Sequence, residues 1–169
     1  MAKGSDRSHI TQKIKQAEAY YIKEKETFFG DKRITEHLQD LKKAIHDSRQ
    51  TMEEIGITTL CRDCEDKEGG SCCGKGLENK YSETLLLINL LLDNSLPQTR
   101  YDPHSCLFLG KNGCLLAARH VICVNYLCAK INKGITPDKI LLLREKEGIE
   151  LDLLFLTNER VKSLLLNAG

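Results

Sequence analysis

The cysteines of this chain are confined to its middle. All eight lie in a stretch of about two-fifths of the sequence: Cys61, Cys64, Cys72, Cys73, Cys106, Cys114, Cys123 and Cys128. Cysteines that serve only as small apolar residues would be scattered along the chain. Cysteines gathered in short-spaced pairs are typical of metal ligands. The sequence therefore predicts a central region that folds around bound metal.

The rest of the sequence limits where such a protein works. Residues 1–10 are polar and lack the apolar stretch of a signal peptide. The most apolar run, residues 85–92, is interrupted by Asn89 and is far shorter than the ~20 residues of a membrane span. We therefore expect a cytoplasmic protein with no membrane partner, in a compartment where thiols stay reduced. The net charge is +1 without a basic cluster, so we expect no nucleic-acid partner.

Helical periodicity dominates both ends of the chain. Residues 1–8 are expected to be flexible, and residues 9–56 to form a hairpin of two helices, 9–29 and 33–55, that turns at Gly30 and Asp31. The second helix carries a stripe in which only Ser48 is polar: Ile34, Leu38, Leu41, Ile45, Ser48, Met52 and Ile55. Gly56 would end this helix. The hairpin either packs on the core or serves as an arm for homodimerisation or partner docking.

Residues 57–169 are predicted to form a cysteine-cluster domain that ends in helices. We expect a loop over 61–80, a buried helix over 83–94 capped by Ser82, an irregular segment over 97–114, and helices over 116–130, 136–148 and 149–166. Residues 105–109 and 149–153 are the only short strand candidates. The predicted fold is all-α: a helical hairpin plus a small helical domain wrapped around a cysteine-rich, metal-binding loop region.

The cysteine spacing leaves the grouping of ligands open. Cys61 and Cys64 have the CxxC spacing that lets two sulfurs reach one metal or cluster. Eight thiols permit two four-thiolate sites, or one four-thiolate cluster with four further thiols. The adjacent side chains of Cys72 and Cys73 diverge, so the pair can serve two centres, or one member alone can bind. A vicinal disulfide is the competing interpretation.

Three other residues are candidates near the metal. His104 and His120 lie close in sequence to Cys106 and Cys123, so either could complete a site with three cysteines, or both are polar bystanders. Arg119 is the candidate cofactor-binding residue outside the cysteines. Its positive charge would offset the excess negative charge of thiolates in a medium of reduced dielectric constant.

The order of these motifs resembles a known family. The CxxC pair, the vicinal cysteines followed by Gly74, Gly113-Cys114, Arg119, and Cys123 with Cys128 are similar to the YkgJ-type cysteine-cluster family over residues 61–128. That family is described as a zinc- or iron-chelating domain, and related cysteines occur in a flagellin lysine N-methylase that carries an iron–sulfur cluster. The resemblance implies metal or cluster binding without assigning a reaction. This chain differs from the family in its longer spacing between Cys64 and Cys72 and in having His120 where the family has proline.

Thiolate ligands suit both iron–sulfur clusters and zinc. Eight cysteines with few histidines and glycine-rich ligand loops favour a [4Fe–4S] cluster. The predicted function is therefore an iron–sulfur protein with an electron-transfer or enzyme-accessory role, whose partner is an unidentified protein or redox enzyme. The alternative is a zinc-binding structural or interaction module without redox activity. Whether the chain is itself an enzyme stays open, because no nucleotide-binding loop or catalytic triad is evident.

Overall fold

The fold is mostly helical, as predicted. The computed structural model describes the backbone of residues 5–68 and 72–167, and the side chains of residues 9–63 and 72–167. The helices are α1 (Ser5–Gly30), α2 (Lys32–Glu54), α3 (Ile57–Glu68), α4 (Glu83–Leu91), α5 (Val121–Asn125), α6 (Ala129–Gly134) and α7 (Pro137–Asn167), with a 3₁₀ turn at Leu77–Lys80. The strands β1 (Leu109–Gly110) and β2 (Gly113–Cys114) form a small antiparallel pair. No helix in the described residues is long and apolar enough to cross a membrane.

The two helices of the predicted hairpin each pack mainly against a different helix of the same chain. The apolar stripe of α2 is buried where α2 lies along α7, and α1 lies along α4. Ser48, the polar member of the stripe, is fully buried and donates a hydrogen bond to Glu150 on α7. The stripe is therefore occupied within the chain. A homodimer through the N-terminal helices stays a prediction, and it would have to use other residues.

Helix ends follow the predicted signals in several places. Ser82 caps α4, with its hydroxyl accepting a hydrogen bond from the Leu85 amide at 3.1 Å. Gly56 follows α2 with φ of +89°, the left-handed conformation that glycine adopts without steric cost. Helix α1 begins at Ser5, before the predicted start, and residues 1–4 of the expected flexible terminus lie outside the described residues.

Three predicted boundaries were wrong. The expected loop over 61–80 begins as helix, because α3 runs through Cys61 and Cys64 to Glu68. The expected helix over 116–130 is an irregular segment followed by the two short helices α5 and α6. The two helices expected over 136–166 are one continuous α7, which passes through Gly148 and through the strand candidate at 149–153. The other strand candidate, residues 105–109, shares only Leu109 with the short β1.

Side-chain hydrogen bonds hold residues 115–118, which form neither helix nor strand. Asn89 of α4, fully buried, accepts from the Ala118 amide and donates to the Ala118 carbonyl, each at 3.0 Å. Asn94 makes a similar pair of contacts, to the Ala117 amide at 2.9 Å and to the Leu115 carbonyl at 3.0 Å. Arg49 of α2 donates to the carbonyls of Leu116 and Ala117. These bonds replace the backbone partners that a helix would have provided.

Asp31 joins the α1–α2 turn to α7. Its carboxylate accepts from the Ile34 amide at 2.9 Å, which caps α2, and forms an ion pair with Arg160. The hydrogen bond from Arg160 is the largest cause that lowers the pKa of Asp31 below its ordinary 3.8. The turn is thereby tied to the far part of α7.

We predict that Asn89→Leu destabilises the fold far more than the same change at Asn132, an exposed asparagine of α6. Leucine at position 89 leaves the buried amide and carbonyl of Ala118 without partners, at a cost of about 1–3 kcal/mol for each group. Urea unfolding of both variants measures the difference. An equal loss in the free energy of unfolding for Asn89→Leu and Asn132→Leu would show that Asn89 does not hold residues 115–118.

We also predict that the Asp31–Arg160 pair stabilises the fold in a pH-dependent way. A carboxylate whose pKa is lowered on folding contributes stability above its unfolded pKa, and loses that contribution as the pH falls through its folded pKa. Asparagine keeps the helix cap but not the charge. The stability difference between the parent and Asp31→Asn should be constant near neutral pH and shrink below about pH 4. Urea melts across this range should show no such trend for Asp152→Asn, an exposed control on α7.

Candidate metal centre

Four cysteines from four separate segments lie near one another, because the charges of Cys73 and Cys114 act on the other thiols. We call Cys73, Cys106, Cys114 and Cys123 the inner set. The Cys106 amide donates to the Cys73 carbonyl at 2.7 Å, which joins the loop after α3 to the loop before β1. The Leu109 amide donates to the Cys106 carbonyl at 3.0 Å, and Leu109 pairs with Cys114 across the two strands. Backbone contacts therefore link three of the four cysteines.

A buried ion pair fixes the two loops that carry Cys73 and Cys106. Glu78, 1% exposed, pairs with Arg100 and accepts hydrogen bonds from the amides of Gly76 at 2.9 Å and Leu107 at 3.5 Å. Arg100 also donates to the Ser105 carbonyl at 2.6 Å. Burial opposes ionisation, but the hydrogen bond from Arg100 and those from backbone amides outweigh it, so the pKa of Glu78 stays below its ordinary value. Glu78 and Arg100 thus hold the two loops together with charges that pair with each other.

Tyr81 lies beside the fourth member of the inner set. Its ring is 1% exposed and meets Phe108 edge to face, with ring centroids 4.9 Å apart. Its hydroxyl accepts from the His120 amide at 3.1 Å and hydrogen-bonds the Cys123 thiol. Burial, followed by the charges of Cys114 and Cys123, raises the pKa of Tyr81, so it stays a neutral donor. A phenol that donates to a ligand sulfur is the kind of contact that tunes a metal–thiolate centre.

Burial disfavours the charged thiolate form at three of the four inner cysteines. Burial raises the pKa of Cys106 to about 12, and raises the pKa values of Cys114 and Cys123 above their ordinary 9.0. The seven cysteines whose side chains are described are all reduced, with no disulfide among them. Metal binding would displace these protons and replace the cost of buried thiolate charge with metal–sulfur bonds.

Two arginines bring positive charge to this region. Arg119 is 9% exposed, its guanidinium contacts the Met52 sulfur at 3.7 and 3.8 Å, and its buried Nε has no hydrogen-bond partner. Its charge lowers the pKa values of Cys114 and Cys123 against the larger effect of burial. Arg49 also acts on Cys114, and burial followed by the charge of Arg119 lowers the pKa of Arg49. A buried guanidinium left incompletely hydrogen-bonded beside thiols fits a site that becomes anionic when metal binds.

We call Cys61, Cys72 and Cys128 the outer set, and Cys72 joins it to the inner set through a hydrogen bond with Cys73. Cys61 lies on α3, and Cys128 is the residue that precedes α6. The Cys72 thiol hydrogen-bonds Cys73 and lies near enough to Cys61 and Cys128 for their charges to act on it. Hydrogen bonding with Cys73, followed by burial, raises the pKa of Cys72. Cys64 follows Cys61 on α3, but its side chain lies outside the described residues.

The two candidate histidines have other roles in this structure. The Nδ1 atom of His120 accepts from the Ile122 amide at 3.2 Å and so caps α5, and its ring lies 5.8 Å from that of Tyr81. His104 is exposed, and its backbone carbonyl accepts from the Lys75 amide at 3.0 Å. His104 therefore contributes a backbone hydrogen bond that holds its loop, and the His120 side chain serves as the cap of α5.

The donor set suits a thiophilic metal, although the thiols lie too far apart to hold one without moving. Among residues 9–63 and 72–167, no three histidine, cysteine or carboxylate side chains converge closely enough to hold a metal ion. The donors of the inner set are all sulfur, they come from different segments instead of one rigid helix, and an incompletely bonded arginine lies beside them. Residues of this kind fit a thiolate-bound metal or cluster that pulls its ligands together as it binds.

Known proteins offer no match to this chain. No protein-family model matches it, and no curated protein or solved structure does so either. The resemblance to the YkgJ-type family therefore stays a prediction.

Sequence reasoning found the thiols and Arg119 but missed their supports. Tyr81, Glu78 and Arg49 lie in ordinary helical or polar contexts, and nothing in their spacing indicates a role. Asn89 was the one supporting residue that the sequence made visible. A polar residue inside the apolar run of α4 is buried only when it has hydrogen-bond partners, which here are the amide and carbonyl of Ala118.

We predict that Tyr81→Phe lowers the free energy of unfolding by about 1–2 kcal/mol. The change keeps the buried ring but leaves the His120 amide without its acceptor and the Cys123 sulfur without its donor. Tyr101→Phe is the matched control, because Tyr101 is 62% exposed. Chemical denaturation of both variants measures the effect, and a Tyr81→Phe variant as stable as Tyr101→Phe would contradict a supporting role for the hydroxyl.

Proposed function

We propose that this chain is an iron–sulfur protein that holds a [4Fe–4S] cluster through the inner set, Cys73, Cys106, Cys114 and Cys123. The observation that supports the proposal is that four free thiols, from four segments, lie near enough for the charges of Cys73 and Cys114 to act on the others, beside the buried and incompletely bonded Arg119. Four thiolates are the ordinary ligand number for such a cluster. The proposal follows the sequence-based expectation for metal binding and narrows it to four of the eight cysteines.

The surroundings of the inner set favour a cluster over a single zinc ion. A cluster is larger than one ion, so its ligands can start farther apart than the sulfurs of a closed zinc site. Tyr81 offers a hydrogen bond to sulfur, and Arg49 and Arg119 offer positive charge, which are the levers that set the reduction potential of a cluster. Positive charge and a hydrogen bond to sulfur would also stabilise zinc held by four thiolates, so the wide spacing of the ligands is what favours the cluster. Zinc at the inner set is the alternative, with the chain then serving as a structural or interaction module.

The residues around the cluster have distinct tasks in this proposal. A bound cluster supplies one-electron chemistry. Glu78 and Arg100 hold the loops of Cys73 and Cys106 in register, Tyr81 donates to the Cys123 sulfur, and Arg119 offsets the negative charge. Positive charge close to a cluster stabilises its reduced, more negative form. We propose an electron-transfer or enzyme-accessory role in the cytoplasm, with a protein or redox enzyme as partner.

The proposal predicts iron and acid-labile sulfide in near-equal amounts in protein purified without oxygen, together with a broad visible absorption. Cys114→Ser and Cys123→Ser should each lose most of both, because each removes a ligand. Ile122→Ser, next to Cys123 and exposed, should retain them and serves as the control. Zinc without sulfide in the parent protein would contradict the cluster and support the alternative. Full iron and sulfide in both cysteine variants would contradict the inner set as its ligands.

A further inference from the structure

One face of α7 is exposed from Asp138 to Glu159. The exposed residues recur at intervals of three and four, which places them in one row on the helix surface. Five of them are large, apolar and between 45% and 63% exposed: Leu141, Leu142, Ile149, Phe155 and Leu156. We call these five residues, together with Gly148, the α7 strip. Helix α7 packs on the rest of the chain through its opposite face, so the strip lies outside the core.

The α7 strip repeats every seven residues. Two series show the repeat: Leu141, Gly148 and Phe155, and Leu142, Ile149 and Leu156. A seven-residue repeat of apolar positions is the pattern that keeps two packed helices in contact. From its first to its last residue the strip is about 22 Å long, at 1.5 Å for each helical residue. The strip therefore has the length and the period of a surface that receives another helix.

Gly148 lies at the middle of the α7 strip. Apart from its own turn of helix, nothing in the described residues lies within 4 Å of the position that a Cβ atom would occupy there. A glycine inside a helix is less favourable than alanine, and here no close contact within the chain requires it. The missing side chain would let the backbone of a second helix approach closely at the centre of the strip.

Carboxylates alternate with the apolar residues of the strip. Asp138, Glu145 and Asp152 are exposed and are also seven residues apart. The ion pairs of α7 found among the described residues involve other carboxylates. Lys139 and Lys146 each directly follow one of the three, and so lie about 100° further around the helix. The exposed face therefore presents a row of negative charge along the apolar residues.

This row of carboxylates selects the occupant of the strip. A second copy of the chain would bring the row against itself, because an antiparallel pair centred on Gly148 places Glu145 of one copy near Asp152 of the other. Like charges across an interface are unfavourable. The negative surface of an anionic membrane would repel the row for the same reason. Positive charge at the same spacing would complement it.

We infer that the α7 strip is the docking surface for an amphipathic helix of a partner protein, which carries Lys or Arg at seven-residue spacing beside its apolar residues. The apolar side chains of that helix would cover Ile149 and its neighbours, and its basic side chains would meet Glu145 and Asp152. The strip contains no cysteine, so this inference does not rest on the proposed cluster.

The probe for this surface is a synthetic helical peptide of three heptads, with leucine at two positions and lysine at one position of each heptad. A second peptide carries glutamate in place of each lysine. Both are labelled with fluorescein, and their binding to the full chain is measured by fluorescence anisotropy. The chain should bind the lysine peptide at least about 10-fold more tightly than the glutamate peptide. This preference should weaken as the salt concentration rises.

Variants of the strip separate its apolar part from its charge. Ile149→Ser should weaken binding of the lysine peptide by at least about 10-fold, because burial of the isoleucine is lost. Ile22→Ser, at an exposed isoleucine of α1, is the matched control and should bind as the parent does. The double variant Glu145→Lys, Asp152→Lys should prefer the glutamate peptide. Gly148→Ala should raise the melting temperature of the chain and yet weaken peptide binding.

Four results would overturn the inference. A dissociation constant above about 1 mM for the lysine peptide would exclude the strip as its docking surface. Equal affinity for the two peptides, or a charge-reversed variant that still prefers lysine, would exclude charge complementarity. A parent chain that is dimeric by light scattering, and monomeric as Ile149→Ser, would show that a second copy covers the strip. Sedimentation with phosphatidylserine vesicles that Ile149→Ser abolishes would show that a lipid surface does so. Iron and sulfide counted in the same variants keep a failure of docking distinguishable from a failure of the cluster.

Discussion

Hydrogen bonds from the side chains of Asn89, Asn94 and Arg49 to an irregular backbone segment hold the cysteine region of this protein in place. Residues 115–118 belong to neither a helix nor a strand, yet Leu116 and Ala118 are fully buried. Asn89, Asn94 and Arg49 supply the missing bonds from α4, from the turn after it and from α2. Buried backbone groups must be satisfied in some way, so the path of the chain from Cys114 to Arg119 depends on these contacts.

The same part of the structure places positive charge close to the inner thiols. Arg49 donates a hydrogen bond to the Ala117 carbonyl, and its positive charge lowers the pKa of Cys114. Arg119 follows directly at the end of residues 115–118. On the α7 side, Glu150 is fully buried with one carboxylate oxygen unpaired and the other bonded to Ser48. Buried charges of this kind are weak evidence for stability, because desolvation consumes much of their attraction. Arg49 interacts with Glu150 and Arg119 with Glu147, so the charge of these arginines acts on buried carboxylates as well as on the inner set.

The sequence allowed the helical frame to be predicted, but less of its centre. The stripe of α2 and the cap at Ser82 follow from local periodicity and hydrogen bonding, and both were confirmed. Gly148 suggested a helix end, but α7 buries Leu143 and Leu154 on either side of it, and this packing outweighs the cost of about 1 kcal/mol for an interior glycine. The break after Cys114 could not be foreseen, because it depends on side chains distant in sequence. The cysteines were evident at once, whereas the nearness of Cys73, Cys106, Cys114 and Cys123 to one another depends on the tertiary structure.

The central claim is that the inner thiols surround a cluster of several iron atoms. X-ray absorption at the iron edge, on protein purified without oxygen, tests it most directly. The account predicts a first shell made only of sulfur and a second, short iron–iron distance, with both lost in Cys123→Ser. A shell of nitrogen or oxygen, or sulfur without any iron–iron distance, would contradict a cluster at Cys73, Cys106, Cys114 and Cys123.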